Sequence, residues 1–304
     1  MRSFSHTAPF TPAALTSLLV TTALLATALI AGGRAAQAQI VYVESNTPGV
    51  TGGARLGTLD LASGNYSLIG THATLMTGLA LSSSGVLYGS SFTTVNANVT
   101  NNFLFTLDRN SGQQTLLGSL GFTTSRLNSI AYASDGQLYG LLSASSGAAS
   151  LIRITTPQAG APTASLVGSL GFISNGGLAG DNAGSLYATQ GNITPDEIGS
   201  VYQITPTPVA ANLLAGDPGF FNSVFGLTFA EGALYGIDNG AFGQGGIYQI
   251  DPISGSGTQT ASYNPVVAGN VSAASNVIAP EPGTLALALA GIGTLGIVRR
   301  RRRK

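Results

Sequence analysis

Between residues 40 and 278, apolar residues come in short runs, not in helical stripes. Gly, Ser, Asp and Asn separate the runs. Runs of that length, bounded by turn formers, predict strands rather than helices. The runs also recur. Tyr42, Tyr88, Tyr139, Tyr187 and Tyr235 are spaced by 46, 51, 48 and 48 residues, and the last four follow Leu in Leu-Tyr-Gly or Leu-Tyr-Ala. Upstream of those four stands a second run: Gly78-Leu79-Ala80, Ser129-Ile130-Ala131, Gly177-Leu178-Ala179 and Gly226-Leu227-Thr228. Each Tyr is followed by a third, apolar strand: Leu56 to Asp60, Phe103 to Asp108, Leu151 to Ile154, Val201 to Ile204 and Ile247 to Asp251. A fourth, rich in Ser and Thr, completes the unit: Tyr66 to Ile69, Gln114 to Leu117, Ala164 to Val167, Ala211 to Leu214 and Thr258 to Ser262.

Four short strands repeating at about 48 residues predict an all-β, five-bladed β-propeller of four-stranded blades. The turns agree. Ser84-Gly85, Asp135-Gly136, Ala183-Gly184 and Glu231-Gly232 fall between first and second strands, where a hairpin favours Gly. Asp60 to Gly64, Asp108 to Gly112 and Asp251 to Gly255 fall between third and fourth strands. An Asp at the head of such a turn binds the backbone amides that follow, so these carboxylates read as structural. The first strands are small because innermost strands crowd the axis. The G-L-A … G-x-L-Y-G pattern over about residues 40–278 resembles NHL-type and related propeller repeats. The first repeat lacks an inner strand, and Ser275-Asn276-Val277-Ile278 is the segment expected to supply it. The ring would then close by pairing the chain's two ends, with an open solenoid as the alternative.

In a meandering blade, loops one and three share a face, and loop two shares the other with the inter-blade connections. The first set is short turns. The second carries the candidate chemistry: Glu44, His72, Arg126, Asp196, Glu197, Asp217, Asp238 and a long loop from Ser90 to Asn102. Phe122, Phe172 and Phe220 occupy equivalent inter-blade positions, within segments such as Gly118-Ser119-Leu120-Gly121-Phe122. Packing between blades is the favoured role for these rings, and a sugar-stacking platform the functional alternative. The tentative binding face is thus Glu44, Phe122, Phe172, Asp196, Glu197, Phe220 and Asp238. No cofactor is expected. Asp196-Glu197 and Asp238-Asn239 are candidates for Ca²⁺, but without EF-hand spacing they read as solvated loop carboxylates. Paired carboxylates also serve glycoside cleavage, although nothing in the sequence brings a particular pair together.

The two ends differ from the repeats. Near the C-terminus, Pro280-Glu281-Pro282 precedes an uncharged run from Thr284 to Val298, and Arg299, Arg300, Arg301, Arg302, Arg303 and Lys304 follow. Pro excludes helix at the first part, and a basic cluster marks the cytoplasmic end of a membrane span. This order resembles the PEP-CTERM sorting signal. The resemblance implies transient anchoring in the inner membrane and cleavage near the Pro-Glu-Pro tripeptide by an exosortase. Fifteen helical residues span roughly 22 Å against a hydrocarbon core of about 30 Å, a marginal single transmembrane helix suited to a tail meant for removal. At the N-terminus, Arg2, an apolar stretch from Leu15 to Ile30 and the small residues of Ala36-Gln37-Ala38 predict a signal helix, cut by signal peptidase between Ala38 and Gln39.

The formal net charge of zero conceals a split. Between Gln39 and Ala279 stand eleven acidic residues and four basic ones, Arg55, Arg109, Arg126 and Arg153. An acidic body argues against nucleic acid as a partner. The chain has no Cys, which excludes disulfides, thiol catalysis and Cys-ligated metal. His72 is the one imidazole outside the N-terminal segment, so a three-His metal site cannot form within one chain. The expected organisation is a signal peptide over 1–38, a propeller over 39–278 and a sorting signal over 279–304. The expected function is that of an exported, non-enzymatic propeller of the cell surface or exopolysaccharide matrix. Extracellular polysaccharide is its candidate ligand, and a carbohydrate-active enzyme acting on exopolysaccharide is the alternative.

Overall fold

Each repeat folds as its short apolar runs dictate: a strand with one face toward each neighbouring blade buries both, and only the outermost strand stays half-wet. The computed structural model describes residues 39–46, 53–96, 99–143, 147–156, 160–174, 176–190, 199–215, 224–230, 232–238 and 245–276. The chain divides into two units, Met1–Ala38 and Gln39–Lys304, and every described residue belongs to the second.

The described strands form five four-stranded antiparallel sheets. Blade 1 holds β1 (Ile40–Asn46), β2 (Ala54–Asp60) and β3 (Tyr66–His72). Blade 2 holds β4 (Gly78–Leu81), β5 (Leu87–Asn96), β6 (Val99–Leu107) and β7 (Gln114–Ser119). Blade 3 holds β8 (Arg126–Tyr132), β9 (Leu138–Ser143), β10 (Ser150–Thr155) and β11 (Thr163–Ser169). Blade 4 holds β12 (Leu178–Gly180), β13 (Leu186–Thr189), β14 (Val201–Pro206) and β15 (Val209–Leu213). Blade 5 holds β16 (Val224–Ala230), β17 (Ala233–Asp238), β18 (Gly245–Ile250) and β19 (Gly257–Tyr263). A one-turn helix, α1 (Pro265–Ala268), capped by Asn264, leads into β20 (Asn270–Asn276). β20 is the inner strand of blade 1, in the order β20-β1-β2-β3. The inner strands β20, β4, β8, β12 and β16 contact one another in that cyclic order and close the ring. The protein is a five-bladed β-propeller.

Two expectations shift. The closing strand is Asn270–Asn276, several residues before the expected Ser275 to Ile278. Its register explains the offset. Tyr42 pairs with Ser275, so Ala273-Ala274-Ser275 takes the place that Gly78-Leu79-Ala80 takes in blade 2. The crowded axis selects that small triplet. Val277 and Ile278 lie outside the described residues. The second shift is in blade 2, where the expected loop from Ser90 to Asn102 is mostly strand. Thr93, Thr94 and Thr100, all β-branched, extend β5 and β6 into a long hairpin, with Thr94 paired to Thr100.

The core is not one mass but five apolar clusters, one between each pair of adjacent blades. Tyr42, Leu56, Met76, Leu79 and Phe105 join blades 1 and 2. Val41, Val43, Tyr235, Ile237 and Val271 join blade 5 to blade 1. Because the last interface is as apolar as the others, the ring gains by closing.

The turns take the geometry their residues suggest. Gly85, Gly136, Gly184 and Gly232 have φ near +83°, +74°, +99° and +83°, in the first hairpin of their blades. Asp60, Asp108 and Asp251 each accept backbone amides two or three residues on, at 2.7–3.1 Å. Those bonds hold the Asp108 and Asp251 carboxyls below their usual range.

Candidate functional site

A propeller offers two mouths on its axis, and the strand directions place different residues at each. Inner strands run from the long-loop face toward the short-turn face. Opposite the five tyrosines, Ser275, Ala80, Ala131, Ala179 and Thr228 form a ring of small side chains, one per blade. They line an axial cavity of about 60 Å³ together with Leu81, Tyr132 and Phe229. That volume holds a few waters, not a sugar ring. Among the described residues, no carboxylate lines it. Burial pushes the Tyr132 phenol up to about 12, so it stays protonated at neutral pH.

The inner strands meet too closely for side chains to interdigitate. A Cβ on Gly78 would stand 2.5 Å from the Ile130 amide nitrogen. Hydroxyls bridge the neighbours instead. Ser275 Oγ accepts the Leu81 amide at 2.8 Å, and Ser129 Oγ accepts the Leu178 amide at 2.9 Å. Thr77 Oγ1 donates to Leu127 O at 2.7 Å, and Ser272 Oγ donates to Met76 O at 2.8 Å. These bonds satisfy backbone groups on the free edges of β4, β8 and β12 and just before β4.

On the long-loop face, Glu44 ends up inside the protein. Its side chain is fully buried beneath the connection from blade 1 to blade 2. Glu44 Oε1 meets His72 Nε2 at 2.8 Å and accepts the Met76 amide at 3.1 Å. Glu44 Oε2 and His72 Nδ1 are buried without a hydrogen-bond partner among the described residues. Desolvation outweighs the His72 and Met76 contacts and pushes the Glu44 carboxyl up to about 7. The pair pins a connection. Asn102 does the same one blade on: its Nδ2 donates to Phe122 O and Ser125 O, and its Oδ1 accepts the Leu127 amide at 2.7 Å.

The aromatic positions separate. Phe172 is buried and stacked on Tyr202 at 3.9 Å between ring centres, 5° from parallel, which leaves little of the ring for a ligand. Phe122 is half-buried against the cluster between blades 2 and 3. Asp238 is buried at the end of β17, and its carbonyl accepts the Tyr263 hydroxyl. Asp196, Glu197, Asp217 and Phe220 lie outside the described residues, as do Ala36, Ala38 and the segments expected to form the terminal helices. So do Pro280, Glu281, Pro282 and Arg299 to Arg303. Among the described residues no helix is long and apolar enough to cross a membrane, and no three His, Cys, Asp or Glu side chains gather where a metal would sit.

Sequence reasoning missed Asn102, Tyr202 and Phe92, whose ring lies 5.3 Å from the exposed Arg126 guanidinium. Asn102 sits in the stretch read as a loop, so its burial carried no signal. Tyr202 lies on a third strand whose apolar neighbours alone marked it as structural.

Residues 279–303 match the PEP-CTERM protein-sorting motif. The chain carries a PEP-CTERM sorting motif. This motif implies export with exosortase processing and transient anchoring in a membrane. A search of curated proteins finds no match to the chain. Among solved structures it is similar to a gluconolactonase from Xanthomonas campestris, at 14% identity over 77% of this chain and 81% of that one, TM-score 0.44. It is also similar to regucalcin, a calcium-binding protein from Agrobacterium tumefaciens, at 16% identity over 75% of each chain, TM-score 0.42. A protein of unknown function from Bacteroides caccae is similar at 14% identity over 80% of this chain and all of that one, TM-score 0.46. Likenesses this distant say nothing of this chain's chemistry.

Proposed function

We propose that the PEP-CTERM chain is an exported, non-enzymatic propeller that works at the cell surface or in the exopolysaccharide matrix once its sorting tail is removed. In this reading residues 1–38 leave as a signal peptide, residues 39–278 are the working body, and residues 279–304 are the exosortase signal. The observation that carries it is an adjacency: the ring-closing strand ends at Asn276, four residues before Pro280. A cut at the Pro-Glu-Pro tripeptide therefore takes away the anchor and leaves every blade intact. Two features of the described residues favour this reading over a glycoside-cleaving one. The axial cavity is too small for a sugar and presents no acid. Glu44 is committed to His72 and Met76 beneath a connection rather than to a groove.

The reading is tested with the processed protein from culture medium, mixed with the exopolysaccharide of the producing cells. Co-sedimentation with no increase in reducing ends is expected. Release of new reducing ends, lost in a variant lacking one loop carboxylate, would establish the enzyme instead.

A further inference from the structure

The closing strand has a direction, and the direction fixes which side of the ring the sorting tail leaves from. β20 is antiparallel to β1, and its last residue, Asn276, pairs with Val41. The neighbouring Ile40 pairs with Asp60, and the Gln39 carbonyl accepts the Leu61 amide at 3.0 Å. Asn276 therefore stands at the short-turn end of blade 1, where the Asp60 turn sits. From there the chain reaches Pro280 in four steps, at most about 14 Å when fully extended. The seven residues of β20 span roughly 23 Å from one face of the ring to the other. The reach is shorter than the ring is thick, so the long-loop face cannot be brought to the cut.

We propose that the short-turn face is the surface that the membrane-embedded sorting peptidase meets. This deepens the sorting reading above and rests on it. Apolar side chains are exposed on both faces: Val95, Val266 and Val267 on the long-loop face, and Ile40, Val86 and Ile253, at 40%, 37% and 87%, on the short-turn face. Ile40 starts β1, Val86 lies in the first turn of blade 2, and Ile253 lies in the outer turn of blade 5. They belong to the blade the tail leaves and to its two neighbours, so apolar surface flanks the exit. The long-loop face, with the β5–β6 hairpin and Arg126, points away from the peptidase.

Because the chain has no cysteine, single cysteines can carry a bulky label on the uncleaved, membrane-held form. Ser83→Cys places one on the short-turn face and Thr124→Cys one on the long-loop side, both at exposed positions. With a 5 kDa polyethylene glycol maleimide, the rate of tail removal in inner-membrane vesicles is expected to fall at least ten-fold for labelled Ser83→Cys. Labelled Thr124→Cys should be processed like the unlabelled chain. A ten-residue Gly/Ser spacer inserted after Ile278 should abolish the difference by lengthening the tether. Equal slowing by both labels, slower processing of Thr124→Cys, or a difference that survives the spacer would overturn the assignment. An unlabelled chain that is never shortened would overturn the sorting reading itself.

Discussion

Gly180 shows how little room the axis leaves. A Cβ there would collide with the Tyr132 carbonyl of the neighbouring inner strand, a backbone atom that cannot swing aside. Gly180→Ala is expected to destabilise the ring by about 1–3 kcal/mol, the range for overpacking, seen as a lower urea midpoint. An unchanged midpoint would mean that the inner strands part more easily than their contacts indicate. Glu44 makes a different prediction. Its carboxyl binds a proton more tightly folded, near pH 7, than at its ordinary value of 4.5. Between those values the folded state holds more protons, so stability falls as pH rises through the window, by at most about 3 kcal/mol. Glu44→Gln keeps an acceptor for the Met76 amide and removes the titration. Melting curves at pH 5 and 7.5 should show the native protein losing more stability than the variant, and parallel losses would contradict the account. Asp108 and Asp251 do not confuse this window, because their lowered carboxyls act only as pH falls below their ordinary 3.8.

At the scale of the element, β20 is the strand whose loss matters most, because it carries the chain from blade 5 onto blade 1 and completes that sheet. Ala274 is buried against Val41, Val43 and Val271 in the cluster between blades 5 and 1. Ala274→Asp would bury a carboxylate with no cation among those neighbours. It should lower stability by more than about 3 kcal/mol, measured by urea denaturation. Gln259→Glu, on the exposed outer strand β19, should change it by less than about 0.5 kcal/mol. A similar effect from both would show that closure does not hold the ring. The outer strands are open sheet edges, and bulges break the ladder in four of them, as between Leu56 and Gly57 opposite β3, which makes them poor templates for a foreign strand. Strand number and blade count were legible because Tyr and Gly recur at fixed offsets, and each occurrence answers one local need. The position of β20 was less so. Ser275 to Ile278 has the apolar look of an inner strand, whereas Ala273-Ala274-Ser275 has the small volumes the axis demands. The β5–β6 hairpin was hidden for a related reason: Thr and Asn suit a polar loop and an exposed strand alike. Of the candidate site, the placement of Glu44 on the long-loop end of its strand was readable. Its burial was not, because the connection that covers it is set by tertiary packing.

For the whole molecule, the ring, the closing strand and the sorting motif form one sequence of events. In the proposed reading, the tail holds the body at the membrane, and a cut at the Pro-Glu-Pro tripeptide sets it free with β20 still paired to β1. The measurement that tests this most directly is the intact mass of the folded protein recovered outside the cell. The account predicts a chain that starts at Gln39 and ends beyond Asn276 but before the apolar run at Thr284. A mass that retains Arg299 to Lys304, or an end that falls within Asn270 to Asn276 and so opens the ring, would contradict it.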